Sequence, residues 1–184
     1  MDLSLFLFSI WDSSGWGSIK NVRTSQEVFC GYLMLDAWIS NQDRHYENWG
    51  YIITRDGTVH LAPTFDHASS LGRNEQDSVM KERLTTNDSN RSVESYVRKA
   101  KSQIYYPNSV KLLTTIDAFH AWAVTCPKAA ISWLQQLEML DDEEIKSLVH
   151  RIPPSFISNV AVDFALEILK QNKKRLIDLK KELK

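Results

Sequence analysis

Asp43, Asn48 and Asp66 are the residues whose types and spacing could do chemistry together. Two of them sit in "WISNQDRHYENWGYI", residues 38–52, and the third in "LAPTFDHASSLG", residues 61–72. Asn48 follows Asp43 by five positions, and Asp66 lies 18 positions beyond Asn48. The residues between read as a tight hairpin, which returns the chain close to where it left. Two carboxylates and a carboxamide then converge at one edge of a small sheet. Bare carboxylates about 4 Å apart repel by roughly 4 kcal/mol at an effective dielectric near 20. A hard divalent cation with oxygen ligands offsets that repulsion, and Mg²⁺ takes one or two carboxylates plus phosphate oxygens. Phosphoryl transfer uses this set. One Asp accepts the proton of the attacking hydroxyl, while an Asn and a second Asp hold Mg²⁺ on the nucleotide phosphates. Asp43 is then the base, and Asn48 and Asp66 are the ligands. Each also has a plainer reading: Asp43 as a loop residue with a structural arginine partner, Asn48 as a cap on the turn into the strand, Asp66 as an Asx-turn former.

The flanking elements must position these groups. Thr24 and Glu27 have capping-box spacing, which predicts a helix start. Val28, Tyr32, Leu35 and Ile39 then mark one helical face, ending at the polar stretch. After it, "WGYIIT" and "TVHLAP" flank "RDG". Asp-Gly between β-prone runs signals a hairpin, because both turn residues tolerate positive φ. Pro63 ends the second strand near Ala62, and the apolar runs on both sides of the polar stretch read as buried. Residues 12–23, rich in Gly and Ser, read as loop, and the polar residues 73–92 as a mobile loop. The remainder reads as helices near 93–104, 109–125, 128–139, 142–150 and 156–183. Acid at 141–144 and base near the chain end suit the helix dipoles, and the basic last helix reads as a solvated amphipathic one.

"NQDRHYENWG" followed by "LAPTFDHASSLG" resembles the catalytic and metal-binding segments of HipA-like kinases. The resemblance covers residues 24–72, and the helical remainder only in general character. It implies a protein-kinase-like C-lobe, mainly α with a small β-hairpin, in which Asp43 is the catalytic aspartate and Asn48 and Asp66 bind Mg²⁺ and, through it, ATP. It also implies a serine/threonine protein kinase of bacterial toxin type, with a protein substrate and a DNA-binding antitoxin as partner. Such kinases often carry Asn after the metal-binding Asp, where this chain has His67. Kinases of this fold place an N-lobe, with a phosphate-covering loop and a lysine, before the helix that starts at Thr24. Only 23 residues precede Thr24, and Lys20 is the one lysine among them. The expectation is one lobe over 1–184, lacking the N-lobe and poorly active by itself: a fragment, a subunit of a split kinase with a separate N-lobe partner, or a degenerate relative.

Two other functions compete. A metal-dependent phosphoesterase would use Asp43, His45, Asp66 and His67, with the histidines as ligands. A pseudokinase-type lobe would keep the fold and bind a partner without chemistry. His45 reads as a residue that shapes the loop, His60 as a surface strand residue, and Ser69 and Ser70 as turn caps. His67 lies near the metal, yet Mg²⁺ prefers oxygen. Trp38, Trp49, Trp122 and Trp133 read as core.

Composition bounds the rest. The 184 residues are 43% hydrophobic and 24% charged, which suits one globular unit. A net charge of -1 offers no basic field for direct nucleic-acid binding. The apolar start "MDLSLFLFSIW" lacks a basic region and a cleavage site, so it reads as a buried strand, or as a core segment exposed by cutting a longer chain, rather than a signal peptide. No run reaches membrane length, and the expected location is the cytoplasm. Cys30 and Cys126, each within an apolar helical pattern, read as buried thiols in a reducing compartment.

Overall fold

The first helix, α1 (Ser25–Ile39), begins on the capping box its sequence predicts. The Thr24 hydroxyl accepts the Glu27 N–H at 3.3 Å, and the Glu27 carboxylate accepts the Thr24 N–H at 2.9 Å. The N–H groups of Arg23 and Thr24 hold that carboxyl below its usual range, with partial desolvation acting the other way. The single face read from Val28, Tyr32, Leu35 and Ile39 is too narrow. Every residue from Val28 to Ile39 is buried, so α1 is the central helix rather than a surface one.

The computed structural model describes residues 19–105 and 110–183. The strand expected in 1–11, most of the loop at 12–23 and the expected helix start at 109 lie outside those residues. After α1 come β1 (Tyr51–Ile53) and β2 (Val59–Leu61), antiparallel, with Ile52 opposite His60. Next are α2 (Asp77–Thr85), α3 (Val93–Lys99), β3 (Lys101–Tyr105) and β4 (Leu112–Thr114). Four helices complete the chain: α4 (Thr115–Ala123), α5 (Pro127–Met139), α6 (Asp142–Val149) and α7 (Asn159–Leu179). The described chain is mainly helical, with two small antiparallel hairpins. None of its helices is long and apolar enough to cross a membrane.

One large core surrounds α1 and takes residues from α4, α5, α6 and α7. Gly31 marks the closest approach: a Cβ there would meet the Trp133 ring at 2.5 Å. The Trp133 Nε1–H donates to the Glu27 carbonyl at 2.8 Å across the same contact. Trp38 and Trp133 are core residues, and Trp49 and Trp122 pack against the core edge. A smaller cluster joins Met80 of α2, Val93 and Val97 of α3, and Phe164 and Ile168 of α7.

Three expectations need correction. Residues 73–92 are not all loop, because α2 forms there; Met80 and the partly buried Leu84, four residues apart, give it one short stripe against the smaller cluster. The helix expected over 93–104 stops at Lys99, and the one expected over 109–125 is preceded by β4, so 101–114 carries a second hairpin. Tertiary bonds select the strand: the Lys101 N–H donates to Gln42 Oε1 at 3.3 Å, and Gln103 Nε2 donates to the Gln42 carbonyl at 3.1 Å. Finally, the first hairpin is not buried. All three β1 residues are exposed, and only Leu61 of β2 enters the core. Its turn also differs from a two-residue one. Gly57 has φ +84° and Asp56 does not share the positive φ. The Gly57 N–H bonds to the Thr54 carbonyl and the Thr54 N–H to the Thr58 carbonyl, both at 2.9 Å, a turn closed by a left-handed glycine.

Candidate active site

The polar stretch begins where α1 ends. Ser40 caps the helix in the left-handed conformation, and its N–H bonds to the Asp36 carbonyl. Asn172 of α7 secures this end, with Nδ2 donating to the Trp38 carbonyl at 3.0 Å and to Ser40 Oγ at 2.8 Å. The chain then leaves α1 in a fixed direction toward Asp43.

Asp36 is the one charged residue in the buried run of α1, and its partner is Arg44. Arg44 is 2% exposed. Its Nε donates to Asp36 Oδ2 at 2.7 Å and its Nη2 to Oδ1 at 2.8 Å, a two-pronged pair. The remaining donors reach both loops that carry the candidate residues. Nη1 donates to the Asn48 carbonyl at 2.5 Å and more weakly to the Phe65 carbonyl at 3.4 Å, and Nη2 reaches Thr64 Oγ1 at 2.8 Å. Asn41 completes the shell by donating from Nδ2 to Asp36 Oδ1 at 2.8 Å while its Oδ1 accepts the Asp43 N–H at 3.2 Å. A single buried guanidinium therefore ties the loop of Asp43 and Asn48 to the loop of Asp66. Backbone bonds reinforce the join: Leu71 N–H to the Ile39 carbonyl at 2.9 Å, and Gln42 N–H to the Ser69 carbonyl at 3.3 Å.

The three candidate residues ride on this frame. Asn48 is buried and donates from Nδ2 to the Asp43 carbonyl at 2.7 Å, which fixes its carboxamide and makes Oδ1 the atom it could offer a cation. The Asp43 side chain is 42% exposed and open to solvent. The imidazole of His45 stands beside it, with Nε2 3.7 Å from Asp43 Oδ1. His45 Nδ1 accepts the Glu47 N–H at 3.2 Å, so its proton is on Nε2, facing Asp43. The loop-shaping part read for His45 agrees with this geometry. Asp66 is exposed and adopts φ +52°, a left-handed conformation that Asp and Asn tolerate better than most residues. The Asn48 carboxamide oxygen and the Asp66 carboxylate are both hard oxygen donors, the kind Mg²⁺ takes.

His67 is buried, with Nε2 at 3.0 Å from Thr64 Oγ1 and 3.2 Å from Arg44 Nη2. Thr64 can accept from Arg44 and donate to His67 at once. The Nε2 edge of the ring is thus packed into the frame that Arg44 and Thr64 form. Among the described residues, no three His, Cys, Asp or Glu side chains converge as a metal-holding group. Ser70 Oγ donates to the His67 carbonyl at 2.6 Å, closing the turn expected there.

Sequence reading missed the scaffold. Arg44 is the structural arginine, but its partner is Asp36, not Asp43. The signal was a lone aspartate inside "VFCGYLMLDAWI", since a charge in a buried helix needs a partner. Gln42, which seats the second hairpin, carried no such signal.

No protein-family model matches the sequence, and no curated protein matches it either. Among solved structures, the Helicobacter pylori proinflammatory kinase CtkA is similar, with a TM-score of 0.68 and 21% sequence identity. The match covers 86% of this chain and 52% of CtkA. The fold is thus shared with one part of a kinase, and this chain spans about half that kinase's length.

Proposed function

We propose that this chain is the C-lobe of an ATP- and Mg²⁺-dependent protein kinase of HipA-like type, acting on a serine or threonine hydroxyl. The observation that carries this reading is the Arg44 tie. It draws together two loops that are far apart in sequence, and those loops bear the base and the two ligand candidates. A fold held in common with a kinase agrees with it. Asp43 would accept the proton of the attacking hydroxyl. Asn48 and Asp66 would hold Mg²⁺, which supplies charge neutralisation on the nucleotide phosphates.

The exposed first hairpin fits a lobe that meets another. Tyr51, Ile53 and Val59 are 58%, 73% and 55% exposed, and Phe65 beside Asp66 is 40% exposed. These apolar side chains suit a nucleotide base and a small β-rich lobe closing over it. Cover for the phosphates and a lysine to pair with them would come from that lobe. Without it, a loss of about 4 kcal/mol in transition-state stabilisation slows transfer roughly a thousandfold. A protein substrate and a restraining DNA-binding partner belong to the same reading.

The test is transfer of labelled phosphate from ATP with Mg²⁺, to the protein itself and to a panel of translation proteins. It is run on the 184 residues alone and with a complementing β-rich lobe fused or added. Transfer only with the lobe, abolished by Asp43→Asn, is the expected result. Strong transfer by the isolated chain overturns the half-kinase reading, and full activity in the folded Asp43→Asn variant overturns the base assignment.

A further inference from the structure

We infer that the cleft between α2 and α3 reads the acceptor protein, by taking an acidic side chain that lies a few residues from the acceptor hydroxyl. This rests on the kinase reading and names a substrate class for it. The cleft has a volume of about 410 Å³. Its wall includes Gln42, the residue before Asp43, so it is continuous with the loop of the candidate base. Glu75, Glu82, Arg83, Arg91 and Lys99 supply its charges.

Those charges select the ligand. The Arg83 Nε–H donates to Glu75 Oε2 at 3.3 Å, and Arg91 Nη2 lies 2.5 Å from Glu82 Oε1. The two glutamates are thus matched one to one. Lys99 has no ion-pair partner among the described residues. Three cations and two anions leave one positive charge over. That excess suits a single carboxylate, whereas a phosphate group brings nearly two negative charges.

Arg83 is oriented to hold the carboxylate. Its side chain is only 24% exposed, and its guanidinium carbon stands 5.3 Å from the centre of the Tyr96 ring. Glu75 fixes the Nε edge, while the two terminal nitrogens make no hydrogen bond among the described residues. A guanidinium held at one edge and one face keeps its terminal fork for a two-pronged bond to a carboxylate. Lys99 adds the second charge. The Lys101 N–H bonds to Gln42 Oε1 at 3.3 Å, so Lys99 lies two residues from a direct contact with the residue before Asp43. Two residues of chain span at most about 7 Å. The acidic side chain therefore belongs within about three residues of the serine or threonine that faces Asp43.

The probes are fluorescein-labelled peptides of a neutral Gly–Ala frame with a central serine. One set carries a single Glu at each of the six flanking positions in turn, and two matching sets carry Gln or Lys. Anisotropy titrations use the full 184-residue chain without nucleotide. At one or two positions Glu should bind about fivefold tighter than Gln, the size of one partly exposed ion pair, and Lys more weakly than Gln. Lys99→Ala and Arg83→Gln should each bring the ratio toward one, and Lys99→Glu should turn it in favour of Lys. Lys128→Ala, on α5 and outside the cleft, should leave it unchanged. Equal binding of Glu and Gln at all six positions, or a Glu preference untouched by the Lys99 and Arg83 variants, overturns the cleft assignment. Tighter binding of phosphoserine than of Glu at the preferred position overturns the choice of a carboxylate. In the lobe-completed protein the same ratio should appear in kcat/KM for phosphate transfer, carried by KM. Transfer without a Glu preference overturns this inference alone. No transfer to any peptide or protein overturns the kinase reading and with it the acceptor role of the cleft, while the binding ratios still report on the cleft itself.

Discussion

The loops between α1 and α2 have two sides that differ in every physical respect. On the inner side Arg44, Asp36, Asn41, Thr64 and His67 are buried and bonded to one another. On the outer side Asp43, Tyr46, Glu47 and Asp66 meet solvent to varying degrees. The inner groups use their hydrogen-bonding capacity on the fold, and the outer groups keep theirs for something else. Stability should therefore follow the inner set, and chemistry the outer set. Substitutions on each side can break that division.

The largest loss of stability should come from Arg44→Ala. It leaves Asp36 charged inside the core and removes a donor shared by the Asn48 and Phe65 carbonyls. Removing one partner of a buried pair costs about 3–5 kcal/mol. Urea unfolding of the variant should show a drop of that size. A drop below about 1 kcal/mol, the range of surface pairs, would mean that Arg44 is not the tie between the loops.

Gly72→Ala should come next. Gly72 has φ +74°, and a Cβ there would meet the buried Phe164 ring at 2.4 Å. Left-handed strain and overpacking together cost about 2–4 kcal/mol. The companion Phe164→Leu should recover part of the loss if the clash contributes. No recovery would assign the whole effect to the backbone. Below these stands Asn172→Ala, which removes the bonds that hold the end of α1 and costs about 1–3 kcal/mol in thermal or urea unfolding.

What was legible in the sequence divides along the same line. The capped start at Thr24, the Asp-Gly hairpin and the Asp43, Asn48 and Asp66 spacing are local signals, carried by a few adjacent residues. Their structural placement could be argued without knowing anything distant. The second hairpin was not legible, because Gln42, 59 residues before Lys101, helps to hold β3. The same holds for α2, whose stripe is only Met80 and Leu84 and gains meaning from α7. Arg44 was half legible. Its type was plain, but its partner lies eight residues back in a helix that local periodicity described as one-faced.

The smallest loss of stability, and the largest loss of chemistry, should come from the outer side. Asp43 and Asp66 are partly or fully exposed, and no buried bond of the frame depends on either side chain. Asp43→Asn and Asp66→Asn should each change unfolding free energy by no more than about 0.5 kcal/mol. Asn suits position 66 because it tolerates the φ of +52° that alanine would strain. The two variants should nevertheless part company in function. Titration calorimetry with Mg²⁺ and a non-hydrolysable ATP analogue, in the lobe-completed protein, should show weaker binding for Asp66→Asn than for Asp43→Asn. Asp66 would touch the ion, whereas Asp43 would face the acceptor hydroxyl. Phosphate transfer should fail in both. Equal losses of binding would mean that base and ligand are not divided between the two loops, even though Arg44 holds those loops together.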